Sequence, residues 1–260
     1  MTVLTVTVTQ WDARPASYEA QFDALCRHLA AHPCDLVLLP EMPFDQWLCA
    51  QETPDPARWA EAVQAHQAWQ ERLAALPATL VSTRPIIAAD GRRLNRAYAL
   101  TGGRCVDIHD KYYLPCEPGF WEAHWYDRGD GTFQPVRLGP ALVGVQICTE
   151  MWFQAEARAY MKAGIDLVCV PRATGPGSLD KWLAGGRAAA VVAGAYCLSS
   201  NLWLPAEVQG PGDLGGMGWI IDPDGEVLAT TSRDQPFRTL SLDLTTARQA
   251  KASYPRYVRD

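Results

Sequence analysis

The sequence predicts an α/β fold in which mixed β-sheets are covered by helices, and three observations carry that reading. The first is the stretch Ala141–Thr174, ALVGVQICTEMWFQAEARAYMKAGIDLVCVPRAT. An apolar run of strand length over Ala141–Ile147 is followed by a 3.6-period segment over Phe153–Ala163 that Gly164 stops, then by a second apolar run over Asp166–Val170. The second is Asp35–Leu39 (DLVLL), too short for a helix and uniformly apolar after its first residue, hence a buried parallel strand. The third is the set of turn dipeptides Asp90-Gly91, Gly102-Gly103 and Asp224-Gly225, which break the strand–helix alternation with hairpins and so mix antiparallel with parallel pairing.

The remaining elements follow in order. Leu4, Val6 and Val8 alternate with threonines as a half-buried strand. Tyr18, Phe22, Leu25, Cys26 and Leu29 fall on one helical face, and Trp59, Val63, Trp69, Leu73 and Leu76 keep a helical stripe through Pro56–Leu76. Leu80–Ser82 and Ile86–Ala89 read as two short strands leading to Asp90-Gly91, then Asn95–Thr101 and Arg104–His109 as a strand pair. Phe133–Leu138 leads into the central unit. Leu179–Val192 is a helix of small residues, Tyr196–Asn201 a strand, Trp219–Asp222 and Glu226–Thr230 a hairpin about Pro223-Asp224-Gly225, and Arg238–Leu242 the last strand. The polar tail after Thr245 is expected to reach a neighbouring subunit or to stay loose.

A chain of 260 residues with no repeat, low-complexity tract or linker is read as one domain over 1–260. Its net charge of −6 with dispersed acids and no basic block argues against a nucleic-acid partner. No apolar run reaches about 18 residues, and the N-terminus lacks an export pattern, so a cytoplasmic location without a membrane partner is expected. The eight cysteines are scattered, with no metal-ligand spacing. They are read as free thiols in a reducing compartment, seven of them structural and none part of a metal or cofactor site.

Three polar residues stand at the ends of apolar strands. Glu41 lies in Pro40-Glu41-Met42-Pro43, where the prolines end sheet pairing. Lys111 follows Arg104–His109, and Cys148 follows Ala141–Ile147. The C-terminal ends of strands are where α/β sheets place their chemistry. Singly, each has an ordinary reading as well: a cap or surface pair for Glu41, a snorkelling side chain for Lys111 and a buried inert thiol for Cys148.

Together, LVLLPEM, DKYYLP and GVQICTE resemble the Glu–Lys–Cys triad of the nitrilase superfamily of carbon–nitrogen hydrolases. FWEAHWYDRGDG, LSSN ending at Asn201, and GGMGWIIDPDG are similar to further blocks of that family, so the resemblance spans nearly the whole chain. It implies a four-layer α-β-β-α sandwich that forms homodimers or larger homo-oligomers, uses no cofactor, and attacks an amide, carbamoyl or nitrile carbon with Cys148. In that chemistry Lys111 supplies positive charge for the developing oxyanion. Glu41 moves the proton from thiol to leaving amine and then activates water. Glu122 matches the family's second glutamate, which positions substrate or water and holds Lys111, and the Thr149 N–H is a second oxyanion donor. Glu150 is read either as functional or as an anchor for the bend.

The departures bear on substrate. Tyr113 stands where the family often has histidine, Thr149 where Trp or Tyr is commoner, and Gly218 where serine is usual. True nitrilases are usually longer and carry a Cys-Trp-Glu pattern, so the amidase and N-carbamoyl amidohydrolase branches fit better, with a small amide or carbamoyl compound as substrate. Trp47, Trp121, Trp125 and Trp152 are placed at the mouth, with Trp121 and Trp152 as substrate contacts. Arg172, one residue past Pro171, is read either as a ligand for a substrate carboxylate or as a partner of Asp166 or Asp180. Two rival readings are a papain-like Cys/His hydrolase using His109 or His124, and a module that binds or supplies ammonia to a partner.

Overall fold

The threonine–apolar alternation that starts at Leu4 runs on to Asp12 because the strand it forms serves two sheets. In the computed structural model, which describes residues 2–208 and 212–258, the first sheet is built from β1 (Val3–Asp12), β2 (Leu36–Leu38), β3 (Thr79–Ile87), β4 (Arg93–Thr101) and β5 (Arg104–Asp110). The second contains β6 (Val136–Leu138), β7 (Ala141–Val145), β8 (Leu167–Arg172), β9 (Tyr196–Trp203), β10 (Trp219–Ile221) and β11 (Val227–Thr230), and β12 (Phe237–Asp243) returns to the first. The strand orders are β12-β1-β2-β3-β4-β5 and β11-β10-β9-β8-β7-β6. The sheets join where Gln10–Asp12 of β1 leave their first neighbours and pair in parallel with Asn201–Trp203 of β9. Parallel pairs (β1·β2, β2·β3, β7·β8, β8·β9) form the centres and antiparallel pairs the flanks.

Alternation along β2 separates the layers. Val37 and Leu39 pack with Leu25 and Leu29 of α1 (Tyr18–Ala31) and with Trp59 and Leu73 of α2 (Pro56–Leu73). Leu36 and Leu38 share a cluster with Val143, Val145 and Val168 of the second sheet. After the single turn α3 (Glu122–Trp125) come α4 (Gln154–Ala163) and α5 (Leu179–Ala193), which cover the second sheet through Ala157, Tyr160, Ala189 and Ala190. The result is an α-β-β-α sandwich.

Two expectations change. Leu80–Ser82 and Ile86–Ala89 are parts of one strand, β3, which runs through Pro85. β2 pairs β3 only as far as Val81, so Pro85 faces no ladder on that side and its missing N–H costs nothing there. The polar tail is not loose as far as Val258. It forms α6 (Leu244–Ala250), whose Leu244 and Ala247 are fully buried. Arg248 Nε then donates to Asp166 Oδ1 at 2.9 Å, and Lys251 Nζ to the carbonyls of Ile165 (2.7 Å) and Gly194 (2.6 Å). One leucine followed by alanines at 247 and 250 is too weak an apolar periodicity to announce a helix.

β7 needs its glycine. A Cβ at Gly144 would meet the Tyr160 ring at 2.7 Å, and the Tyr160 hydroxyl bonds both the N–H (3.1 Å) and the carbonyl (2.9 Å) of Val145. Gly144→Ala is therefore expected to destabilise the fold by about 1–3 kcal/mol through overpacking. Urea unfolding checks this, and an unchanged midpoint would show that α4 yields freely.

Candidate active site

The four residues of the triad-like set come from four separate segments and meet where both sheets end. Glu41 follows β2, and its N–H donates to the Arg172 carbonyl at 3.3 Å, tying the first sheet to the end of β8. Met42, at φ 40°, donates its N–H to Thr83 Oγ1 at 2.9 Å and fixes the turn. Lys111 directly follows β5, Glu122 opens α3, and Cys148 opens a 3-10 turn (Cys148–Trp152) at the end of the β7 segment. The sulfur-bearing residue has φ 51°, an unfavourable conformation for a side chain with a Cβ, of the kind that concentrates at functional sites. All four are buried, with Cys148 the most accessible at 3%.

Lys111 Nζ donates to Glu41 Oε1 at 2.8 Å and to Glu122 Oε2 at 2.5 Å. Asn95 Nδ2 donates to the same Glu41 oxygen at 2.7 Å, and the Tyr126 hydroxyl donates to Glu122 Oε2. Glu41 Oε2 is left without a hydrogen-bond partner among the described residues. The Cys148 thiol points toward the Ala173 carbonyl, 4.0 Å away.

The charges are strongly coupled. Burial alone would lower the Lys111 pKa, but Glu122 and Glu41 together hold it well above the ordinary lysine range. Burial pushes the Glu122 carboxyl up to about 7, against the pull of Lys111 and with the help of Glu41. Burial likewise raises the Cys148 thiol far above its ordinary value, with Glu41 adding to the rise and Lys111 opposing it. These directions favour the ammonium at Lys111 and the neutral thiol at Cys148.

Glu150 lies under this set and is fully buried. Its Oε1 accepts the Tyr112 N–H at 2.7 Å and its Oε2 the Ile147 N–H at 2.7 Å, while His109 Nε2 lies 2.9 and 2.8 Å from the two oxygens. Among the described residues, no group of three His, Cys, Asp or Glu side chains is arranged to hold a metal ion.

Comparison with known proteins decides the family. The Carbon-nitrogen hydrolase family pattern matches residues 5–252. The chain belongs to that family.

The chain is 30% identical over 203 residues to the glutamine-dependent NAD(+) synthetase of Rhodobacter capsulatus, an alignment covering 74% of this chain and 34% of the synthetase. It is 25% identical over 167 residues to the N-carbamoylputrescine amidase of Arabidopsis thaliana, covering 63% of this chain and 56% of the amidase. The chain thus spans about a third of the first relative and just over half of the second. A carbon–nitrogen hydrolase from Helicobacter pylori has the same fold, with a TM-score of 0.85 at 21% identity over 98% of this chain and 94% of that one. The likeness to the N-carbamoylputrescine amidase supports the amidase-like branch.

The cavity that Cys148 opens onto is about 90 Å³, far below the volume of a pocket for a large ligand. Glu122, Thr149, Thr174 and Ser178 give it polar points. Pro115, Phe120, Ala173 and Trp182 give it apolar walls, and Glu117 stands at its exposed side.

The other sequence-predicted residues divide. Thr149 lines the cavity as second residue of the 3-10 turn, where backbone N–H groups have no partner within the helix. Arg172 does not line it. The guanidinium is buried, donating to Ser199 Oγ at 2.7 Å, Thr174 Oγ1 at 2.8 Å and the Met217 carbonyl at 2.5 Å, and lies 3.9 Å from the Trp219 ring centroid. The expected pair with Asp166 or Asp180 is absent, because Asp166 is held by Arg248. Trp121 stacks on His124, and Trp152 is 43% exposed against Trp182, so neither reaches the cavity. Trp47 and Trp125 line a separate cavity of about 580 Å³ that does not include Cys148.

Neither histidine serves Cys148: His109 contacts Glu150, and His124 Nε2 lies 3.4 Å from the exposed thiol of Cys116. Asn95, Tyr126, Ala173 and Trp182 are the residues that sequence reasoning missed. Asn95 is the buried polar residue on the β4 face it shares with Ala97 and Ala99, the one trace it leaves.

Proposed function

We propose that this chain hydrolyses a non-peptide C–N bond of a small amide or N-carbamoyl compound through a thioester on Cys148. The observation that carries the reading is the Lys111 ammonium buried between Glu41 and Glu122, with Glu122 and Cys148 on the wall of one small cavity. Because the resting sulfur is protonated, attack needs a base as it happens. Glu41, with Oε2 free, takes the thiol proton while sulfur bonds to the carbonyl carbon. Lys111 and the Thr149 N–H stabilise the oxyanion. Glu41 returns the proton to the leaving nitrogen, the C–N bond breaks, and the amine or ammonia departs. Glu41 then deprotonates the water that cleaves the thioester, and the proton passes back to sulfur. Glu122 holds Lys111 in place through both steps.

Among the described residues the cavity wall carries two acids, exposed Glu117 and the Lys111-paired Glu122, and no Lys, Arg or His. That distribution supports a neutral or amine-bearing substrate over one with a carboxylate, and replaces the carboxylate role first expected of Arg172. Nitrile hydrolysis by the same residues is the alternative chemistry. A second reading, hydrolysis of the glutamine side-chain amide to supply ammonia, is favoured by the likeness to the NAD(+) synthetase, but glutamine's α-carboxylate would meet the acidic wall.

A panel of short amides, N-carbamoyl amines, nitriles and glutamine separates these readings. The proposal expects ammonia or amine release from short amides or N-carbamoyl amines at least tenfold above the other two, reading roughly 1.4 kcal/mol of discrimination per factor of ten. Turnover of nitriles alone, or of none of the four, would reject it.

A further inference from the structure

We infer that Glu150, held by His109, is the positioning residue that sets Lys111 against Cys148. The inference rests on the catalytic reading above and adds a residue to it. One carboxylate bridges the two segments: Oε1 holds the N–H of Tyr112, the residue after Lys111, and Oε2 holds the N–H of Ile147, the residue before Cys148, each at 2.7 Å. Lys111 and Cys148 are thus each the chain neighbour of a residue whose N–H is held by a single buried carboxylate. The two segments come from different sheets, β5 of the first and β7 of the second.

His109 fixes the anion in turn. Its Nε2 lies 2.8 and 2.9 Å from the Glu150 oxygens and its Nδ1 3.0 Å from the Thr132 carbonyl. Every polar neighbour of the ring is an acceptor, so both ring nitrogens must carry a proton. Each Glu150 oxygen also accepts a backbone N–H, so the ring nitrogen is placed as the donor in this contact. His109 and Lys111 are two apart on the extended chain leaving β5 and face the same side, so the strand that brings the catalytic cation also brings the clamp's cation. A carboxylate used only to anchor the bend would need the Ile147 bond alone; the Tyr112 bond is the part that anchoring does not require.

The test compares Glu150→Gln and His109→Gln with the unchanged chain in kcat and KM on the amide that the panel identifies. It also measures the rate of Cys148 carbamidomethylation by iodoacetamide, followed by peptide mass mapping. An amide at position 150 presents a donor to one of the three N–H groups there. The inference expects kcat to fall about 10- to 100-fold in Glu150→Gln, because small misplacements of reacting groups cost that much. KM is expected to stay within about twofold and Cys148 alkylation to change at least about threefold. His109→Gln keeps one donor, so a smaller kcat loss in the same direction is expected, and the double variant should be no worse than Glu150→Gln alone.

Unchanged kcat and alkylation rate in both variants, with only a lowered melting temperature, would show a purely structural pair and overturn the inference. So would a rise in KM at constant kcat. Should Glu150→Gln not fold, His109→Gln decides by the same readouts. Alkylation needs no substrate, so an inactive panel would reject the proposed function while leaving this readout intact.

Discussion

Cys148→Ala is expected to lower kcat/KM by at least about 10⁴-fold, the scale on which removing the nucleophile of a catalytic set acts. The thiol is buried at 3% exposure, and among the described residues its hydrogen-bond contact is the weak one to the Ala173 carbonyl at 4.0 Å, so removing it costs little polar interaction. The thermal midpoint should stay within about 2 °C, corresponding to less than about 1 kcal/mol. The φ of 51° is no easier for alanine than for cysteine, so the bend itself is not changed. Activity above one per cent in the purified variant would remove Cys148 from the chemistry.

Lys111→Met is the second large effect, and it acts on stability as well as rate. The substitution leaves two carboxylates facing one another with no cation between them, each fully or almost fully buried. Breaking a buried ion pair on one side costs about 3–5 kcal/mol, and loss of the oxyanion cation removes turnover. The pH dependence has a definite sign. Burial raises the Glu122 carboxyl to about 7 even with Lys111 present, and without it that carboxyl rises further. A carboxyl whose folded pKa lies above its unfolded value binds more protons in the folded state, so stability falls as pH rises through the interval between the two. The deficit of Lys111→Met is therefore largest at pH 8 and smaller at pH 5.5, where Glu122 takes up a proton. Urea unfolding at both values measures it. A deficit that grows toward low pH would contradict the charge assignment.

How much of this was legible depends on where each residue's information lies. Glu41 and Cys148 could be read because each follows a strand of uniformly apolar residues, and Lys111 because it follows a strand pair marked by the Gly102-Gly103 turn; β2, β5 and β7 all appear near their expected places. Glu122 could be read only by resemblance, since α3 is a single turn and has no periodicity to detect. Ala173 acts through its carbonyl, which every residue possesses, so no side chain announces it.

Arg172 and the tryptophans show the opposite failure. A cation or a large ring near a strand end invites a ligand, yet Arg172 spends its donors on Ser199, Thr174 and Met217. Of the aromatics, it is Phe120 and Trp182 that line the cavity. Sequence position gives the end of the sheet on which a side chain sits, and packing decides what it meets there. Glu150 falls between: one of its two sequence readings named the bend, and neither could show that Tyr112 lies at its other oxygen.

The central claim is that the C–N bond breaks onto sulfur before water enters. The most direct measurement supplies hydroxylamine as a competing nucleophile and follows two amides that share an acyl group but carry different leaving amines. A common thioester predicts one ratio of hydroxamate to acid for both amides at fixed hydroxylamine, whatever their relative rates, and no product from Cys148→Ala. A ratio that changes with the leaving amine would place water or hydroxylamine at the substrate itself and contradict the covalent route.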